Sequence, residues 1–411
     1  MILFFVFKTL RHKFLSVDRH KVRMATAYLA LLACCVSQVS ASPITPGIFY
    51  GPRQTNLHKR TRSDLFPLLN APGTAWPNLA NKTSYLKLFL SMVACIPSAG
   101  CPTPTTDAEL EGLIAALKRR NIKVGIEIGG ARWGNGHCDA AEILKYAAIE
   151  QRQVNRWIKL GGSIDSVSTD HANVWNVRGL TEKPCHPAVP MRKRIDVVAQ
   201  VFASWRKFLG RNASLGFIES LGFWEIEGPN GINFTNTSPS QLNKIAGWIP
   251  RLDDVTALLL ADGKKYNPFP DTPLINHYQI DFGMSGVEFD TFTYGKVPPV
   301  GINYGRILGA ELIMKKHGLQ SGVILNAFRD GVYGRHCTVG CNPTADPASR
   351  SHSAVVRTLN FTRGYMQLPN RLSNHAVLEQ WQDYPSVTGP ESVVDTGMWM
   401  ASQCADIIRP T

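Results

Sequence analysis

Lys123-Val124-Gly125-Ile126-Glu127-Ile128 lies between two stretches of a different rhythm, and that contrast decides the fold. Within it every second side chain is branched and apolar. Val124, Ile126 and Ile128 therefore share one side of an extended strand and Glu127 takes the other. Before it, Asp107–Arg120 puts Leu110, Leu113, Ile114 and Leu117 on one helical face. That segment opens on an acid after Thr105-Thr106 and closes on Lys118-Arg119-Arg120, the charge order a helix dipole favours. After it, Ala140–Leu160 has the helical period and stops at Gly161-Gly162, and Ile164–Asp170 reads as the next strand.

The same unit recurs from residue 47 onward. Strands are predicted at Ile48–Tyr50, Tyr85–Ser91, Lys123–Gly129, Ile164–Asp170, Leu215–Ser220, His277–Phe282, Val323–Phe328 and Ala376–Trp381. Helical periods fill the intervals at Asp107–Arg120, Ala140–Leu160, Arg192–Leu209, Ser240–Ala261, Ile302–His317 and Ser349–Met366. Such alternation places parallel strands inside and helices outside. Eight strands predict an α/β fold, a (β/α)8 TIM barrel, as a single decorated domain over residues 42–411. The rival is an open doubly wound sheet, but no G-x-G-x-x-G follows an early strand, so a dinucleotide cofactor is not expected.

Composition excludes other classes. The chain has 411 residues, 44% of them hydrophobic, with 34 Gly and 26 Pro, which rules out disorder and collagen-like repeats. Of its net charge of +13, residues 1–41 contribute +5 through six bases and one acid, leaving +8 spread along the remainder. A dispersed excess of this kind argues against nucleic acid as a partner. Residues 1–41 read as an N-terminal extension and a secretory signal peptide. Met24 precedes the apolar run Leu29–Val36, and Val39-Ser40-Ala41 offers small residues for cleavage after Ala41. No later stretch reaches the roughly 18 apolar residues of a membrane helix, so a secreted protein without a membrane span is expected, whether synthesis starts at Met1 or Met24.

Asn81-Lys-Thr83, Asn212-Ala-Ser214, Asn233-Phe-Thr235, Asn236-Thr-Ser238 and Asn360-Phe-Thr362 fit the glycosylation acceptor pattern, in keeping with that route. Of nine cysteines, Cys34 and Cys35 would leave with the signal. Local pairing then suggests disulfides Cys95–Cys101, Cys138–Cys185 and Cys337–Cys341, with Cys404 left free. Zinc at Cys337-x3-Cys341 is the rival, and it lacks a second pair at metal spacing.

A barrel presents its chemistry at the carboxyl ends of its strands. There the predicted strands offer Glu127, Asp170, Glu219, Asp281, Asn326 and Glu379, successive residues being 43 to 62 apart, about one repeating unit each. In Ser166–Asp170 the bulky Val167 would face the helices, leaving Ser168 and Asp170 inward. In the sixth strand the polar ladder His277, Gln279 and Asp281 would be costly against a helix layer and is expected inward. Five acids at one height exceed what packing requires, and crowded like charges raise at least one pKa, the condition for a general acid beside an ionised partner. Glu288 and Asp290 follow the sixth strand and brace a loop or reach the mouth. His171 and His277 read either as ligands or proton shuttles, or as satisfied core and rim histidines. Trp133, Trp175, Trp224, Tyr294 and Trp381 fall after or at the ends of strands, where flat aromatic faces suit sugar rings, whereas Trp157, Trp205 and Trp248 lie inside helices and read as core.

These features resemble the secreted (β/α)8 glycoside hydrolase superfamily over roughly residues 44–400. The resemblance rests on Ile128-Gly129-Gly130 after the third strand, Asp170 closing the fourth, Phe217-Ile218-Glu219 on the fifth, and Glu379-Gln-Trp381-Gln-Asp-Tyr384-Pro385 on the eighth. The largest clan of such enzymes implies an Asn-Glu acid on strand four and a Glu nucleophile on strand seven. This chain has Thr169-Asp170 and Asn326 there, and is instead similar to barrel glycosidases with an Asp on strand four and an acid on strand five or six.

The expectation is a secreted enzyme that hydrolyses glycosidic bonds of a polysaccharide or oligosaccharide, needing no cofactor and no metal. Asp170 would be nucleophile or base, Glu219 the general acid and Asp281 a positioning or alternative acid. Glu127, His171, Trp175, Trp224, His277, Gln279, Asn326, Glu379 and Trp381 would bind substrate or tune its neighbours. Two alternatives stand beside it. One is a metal-dependent barrel hydrolase with His171, His277, Asp170, Glu219 and Asp281 as ligands; the other is a glycan-binding barrel without a working acid pair.

Overall fold

The computed structural model describes residues 46–52, 55–56, 61–62, 65–94, 105–131, 138–170, 189–221, 224–227, 233–234, 251–282, 304–326, 347–379, 385 and 389–410. All of them belong to Ala41–Thr411, one of two units into which the chain divides. The expected signal segment lies outside the described residues.

Eight strands form a closed barrel: β1 (Gly47–Gly51), β2 (Thr83–Phe89), β3 (Lys123–Ile128), β4 (Ser166–Asp170), β5 (Ser214–Ser220), β6 (His277–Asp281), β7 (Gln320–Ile324) and β8 (His375–Glu379). Neighbours follow chain order and every pair is parallel. β8 returns to β1 with Gly47 opposite His375 and Gly51 opposite Glu379. This is the (β/α)8 architecture that the alternation predicts, each predicted strand overlapping an observed one.

The helices between strands are α1 (Leu65–Leu69), α2 (Pro77–Lys82), α3 (Leu90–Ala94), α4 (Asp107–Arg120), α5 (Ala140–Lys159), α6 (Met191–Leu209), α7 (Leu252–Tyr266), α8 (Gly305–Lys316), α9 (Pro347–Met366) and α10 (Gly397–Ile408). Their ends obey local chemistry. Thr106 and Glu109 close a reciprocal capping box on α4, and Asn121 ends that helix in the left-handed region at φ 53°. Where Ser240–Ala261 is expected as a helix, α7 covers Leu252–Tyr266, its first turn marked by Asp253 and Asp254; residues 240–250 lie outside the described set. The closing helix α10, capped by the Thr396 hydroxyl on the Trp399 amide, has no counterpart among the predicted elements.

Two apolar layers follow from the strand alternation. Between barrel and helices, Leu86, Leu88, Val124, Ile126, Val167, Phe217, Tyr278, Ile280 and Leu378 join helix residues, including Trp157 and Trp205, in one continuous core. Inside the barrel, Phe49, Tyr85, Ile218, Ile324 and Val377 form a separate plug, with the Phe49 and Tyr85 rings stacked at 4.2 Å. Beneath this plug, towards the amino ends of the strands, His277 is held between the hydroxyls of Ser168 (2.9 Å) and Ser214 (3.0 Å). His375 lies 6.2 Å from it, ring to ring. Space for the two imidazoles comes from the neighbouring strands: a Cβ on Gly216 would meet the His277 ring at 2.4 Å, and one on Gly322 would meet His375 Nε2 at 2.1 Å.

Among the described residues no helix is long and apolar enough to cross a membrane. Cys404 is a buried free thiol and Cys138 is disulfide-bonded. The other cysteines of the expected pairs lie outside the described residues. In the three acceptor triads with described burial, Asn81, Asn212 and Asn360 are exposed while Thr83, Ser214 and Thr362 are buried.

Candidate active site

Above the aromatic plug, the last inward positions of the strands define the mouth. On β2 the inward set is Tyr85 and Lys87, since Leu86 and Leu88 pack outward. On β3 it includes Glu127, on β4 Asp170, on β6 Asp281, after β7 Asn326, and on β8 Glu379. All of these side chains are buried, the four acids being between 4% and 8% exposed.

Lys87 organises this layer, and the expected site did not include it. Its ammonium lies 2.7 Å from Glu127 Oε2 and 2.7 Å from Glu379 Oε2. The strand between β2 and β8 is β1, whose last residue opposite Glu379 is Gly51, so no side chain stands in the way. Burial alone would lower the Lys87 pKa. The two carboxylates outweigh it, raise the pKa and keep the ammonium charged.

Glu379 responds in the opposite sense. Burial pushes its carboxyl upward, Lys87 opposes that, and the charges of Glu127 and Asp170 add to it, so that Glu379 is raised to about 7. A buried acid raised towards neutrality thus sits beside an ammonium and near carboxylates on strands β3 and β4.

Three expected site residues are corrected by the structure. Glu219 does not line the mouth: Ile218 takes the inward place on β5, and Phe217 and Glu219 face the helices, where Phe217 packs on Tyr278 at 4.7 Å. There the Glu219 charge acts on Arg194 of α6, and burial raises the hydroxyl pKa of Tyr278, with the charges of Glu219 and Asp281 adding to it. His277 is inward but at the barrel floor, fully buried, with both ring nitrogens engaged by serines. Trp224 is no platform for sugar: it is 0% exposed, within the layer between barrel and helices. Gln279 is inward but 0% exposed, one step below Asp281. His171, Trp175 and Trp381, with Trp133, Tyr294, Glu288 and Asp290, lie outside the described residues.

The predicted metal set is not brought together either, because Glu219 and His277 sit on different sides of the barrel wall at different heights. Among the described residues no group of three or more His, Cys, Asp or Glu is arranged to hold a metal ion. The place between Glu127 and Glu379 is taken by the Lys87 ammonium.

No known protein family and no curated protein sequence matches this chain. Solved structures similar to it include a β-1,4-mannanase (9% identity over 89% of this chain and 99% of that one, TM-score 0.45). Others are xylanase XynB from Paenibacillus barcinonensis (13%, 87% and 95%, TM-score 0.44) and a sugar phosphate isomerase/epimerase from Parabacteroides distasonis (10%, 90% and 96%, TM-score 0.39). One barrel fold hosts many chemistries, and the reaction has to be read from the side chains at the mouth.

Proposed function

We propose that this protein is a secreted glycoside hydrolase acting on a polysaccharide or oligosaccharide, with Glu379 as the general acid and Asp170 as its carboxylate partner. The observation that carries this reading is the placement of Glu127, Asp170, Asp281 and Glu379 as buried inward acids at the carboxyl ends of the strands, where burial and the neighbouring charges raise Glu379 to about 7. Glycosidic cleavage needs two carboxyl groups with different duties: one gives a proton to the leaving oxygen, and the other acts as base or nucleophile at the anomeric carbon. Glu379, raised to about 7, suits the first duty, and Asp170 lies close enough for its charge to act there. Asp281 and Asn326, at the same height on β6 and after β7, supply hydrogen-bonding groups for sugar hydroxyls. In this reading Glu379 takes the role that the sequence assigns to Glu219.

The test is release of new reducing ends from a panel of neutral and acidic polysaccharides, with and without chelator. Hydrolysis that survives chelation is expected. Glu379→Gln and Asp170→Asn should each lower it by about 10²-fold or more with unchanged thermal unfolding. Near-normal turnover in either variant rules out this pair, and binding without release in the unmodified protein favours the glycan-binding barrel.

A further inference from the structure

Among the described residues, Lys87 is the one cation on the inner wall of the mouth, and its placement is specific. Lys87 is 2% exposed and reaches two carboxylates at the same distance, one on the adjacent strand β3 and one on β8 across the glycine end of β1. Burying an ammonium is costly unless opposite charges face it, and Lys87 meets that condition with two carboxylates at contact distance. We propose that Lys87 is the positioning residue of this site: its ammonium fixes the Glu127 and Glu379 carboxyl groups and is the charge against which Glu379 gives up its proton.

Lys87's part in turnover rests on the hydrolase reading. In the acid step the Glu379 proton passes to the glycosidic oxygen, the bond from that oxygen to the anomeric carbon breaks, and its electron pair leaves with the oxygen. Glu379 becomes a carboxylate beside an ammonium already in place, so no counter-ion has to be recruited as charge develops. Water completes hydrolysis by one of two routes: it attacks the anomeric carbon directly while Asp170 takes its proton, or Asp170 first bonds to that carbon and water then displaces it, its proton returning to Glu379. Among the described residues, the charged groups acting on Glu379 are Lys87 from β2, Glu127 from β3 and Asp170 from β4, and Asp281 is an inward acid of the mouth on β6. β1, β5 and the end of β7 present Gly51, Ile218 and Asn326, which do not titrate. Of the described groups, Lys87 alone favours the ionised form.

The deciding experiment follows the titration of the Glu379 carboxyl by carbon NMR of protein labelled at glutamate carboxyls, assigned with Glu379→Gln, and compares it with the pH profile of hydrolysis. In Lys87→Met, Glu379 should become a weaker acid by about tenfold or more, as expected for loss of an opposite charge in contact. The alkaline limb of the rate profile should move up with it. Lys87→Arg, which keeps the charge, should restore both towards the unmodified protein. If Lys87→Met does not fold, Lys87→Gln keeps a hydrogen-bonding group without the charge and carries the same expectation. A Glu379 titration that stays put in a folded, charge-free variant overturns the proposal. A shifted titration in a protein that hydrolyses no glycan instead upholds Lys87 and removes the hydrolase reading.

Discussion

Gly322 shows how one missing atom shapes the barrel interior. His375 belongs to the next strand, and its Nε2 occupies the place where a Cβ on Gly322 would begin, at 2.1 Å. Gly322→Ala therefore forces the imidazole out of a closed layer, and a loss of about 1–3 kcal/mol in unfolding free energy is expected by denaturant titration. The matching substitution at Gly318, which has open space around it but a φ of 71°, would act through backbone strain instead. Glu219 teaches a related lesson. Its alternation partners Leu215 and Phe217 are apolar and face outward, so a carboxylate has been placed in the outer core, where Arg194 balances it. Nothing in its residue type distinguishes it from Glu379, which differs only in the face its strand turns inward.

At the scale of elements, Arg206 ties α6 to the foot of the barrel. Its guanidinium donates to the carbonyls of Gly210, Arg211 and Ala213 ahead of β5, and to Pro273 O, Leu274 O and Asn276 Oδ1 ahead of β6. A planar guanidinium can reach these six acceptors on two loops, whereas the three donors of a lysine are too few for them. Arg206→Lys should cost about 3 kcal/mol, because carbonyls buried under α6 lose their donors, and hydrogen exchange should rise in β5 and β6 before β1 and β2. An unfolding free energy unchanged by this substitution would remove Arg206 from that role. The arrangement also explains why the amino-terminal end of the barrel carries stability: His277 and this clamp share the foot of β5 and β6.

For the whole molecule, acid stability reports the two layers of the barrel with opposite signs. Burial lowers His375 to about 3, and burial, with the nearby charges of His375, Lys87 and Arg206, lowers His277 well below its ordinary value. Unfolded chains bind these protons from about 6.5 downward while the folded protein does not, so both histidines remove stability as pH falls from there towards about 3. Glu379 works the other way: folded protein holds its proton up to about 7 and the unfolded chain only to its ordinary 4.5, so across that interval it adds stability as pH falls. The thermal midpoint should drop between pH 7 and pH 5, more steeply in Glu379→Gln and less steeply in His375→Gln; equal slopes in all three proteins would contradict the assignment. The eight-strand alternation, the helix-capping signals and the inward Glu127 and Asp170 were legible in sequence, because period and capping are local and the outward partners Val124, Ile126 and Val167 mark the opposite face. Parity on β5 was not, because strands covered by helices outside and an apolar plug inside are hydrophobic on both faces, and Phe217-Ile218-Glu219 reads the same as Val377-Leu378-Glu379. Sequence by itself determined the eight strands, six of the helical segments and their order. Only closure of β8 on β1 decided that Lys87 and Glu379, 292 residues apart, share one proton-bearing site, since a contact across the barrel has no period along the chain.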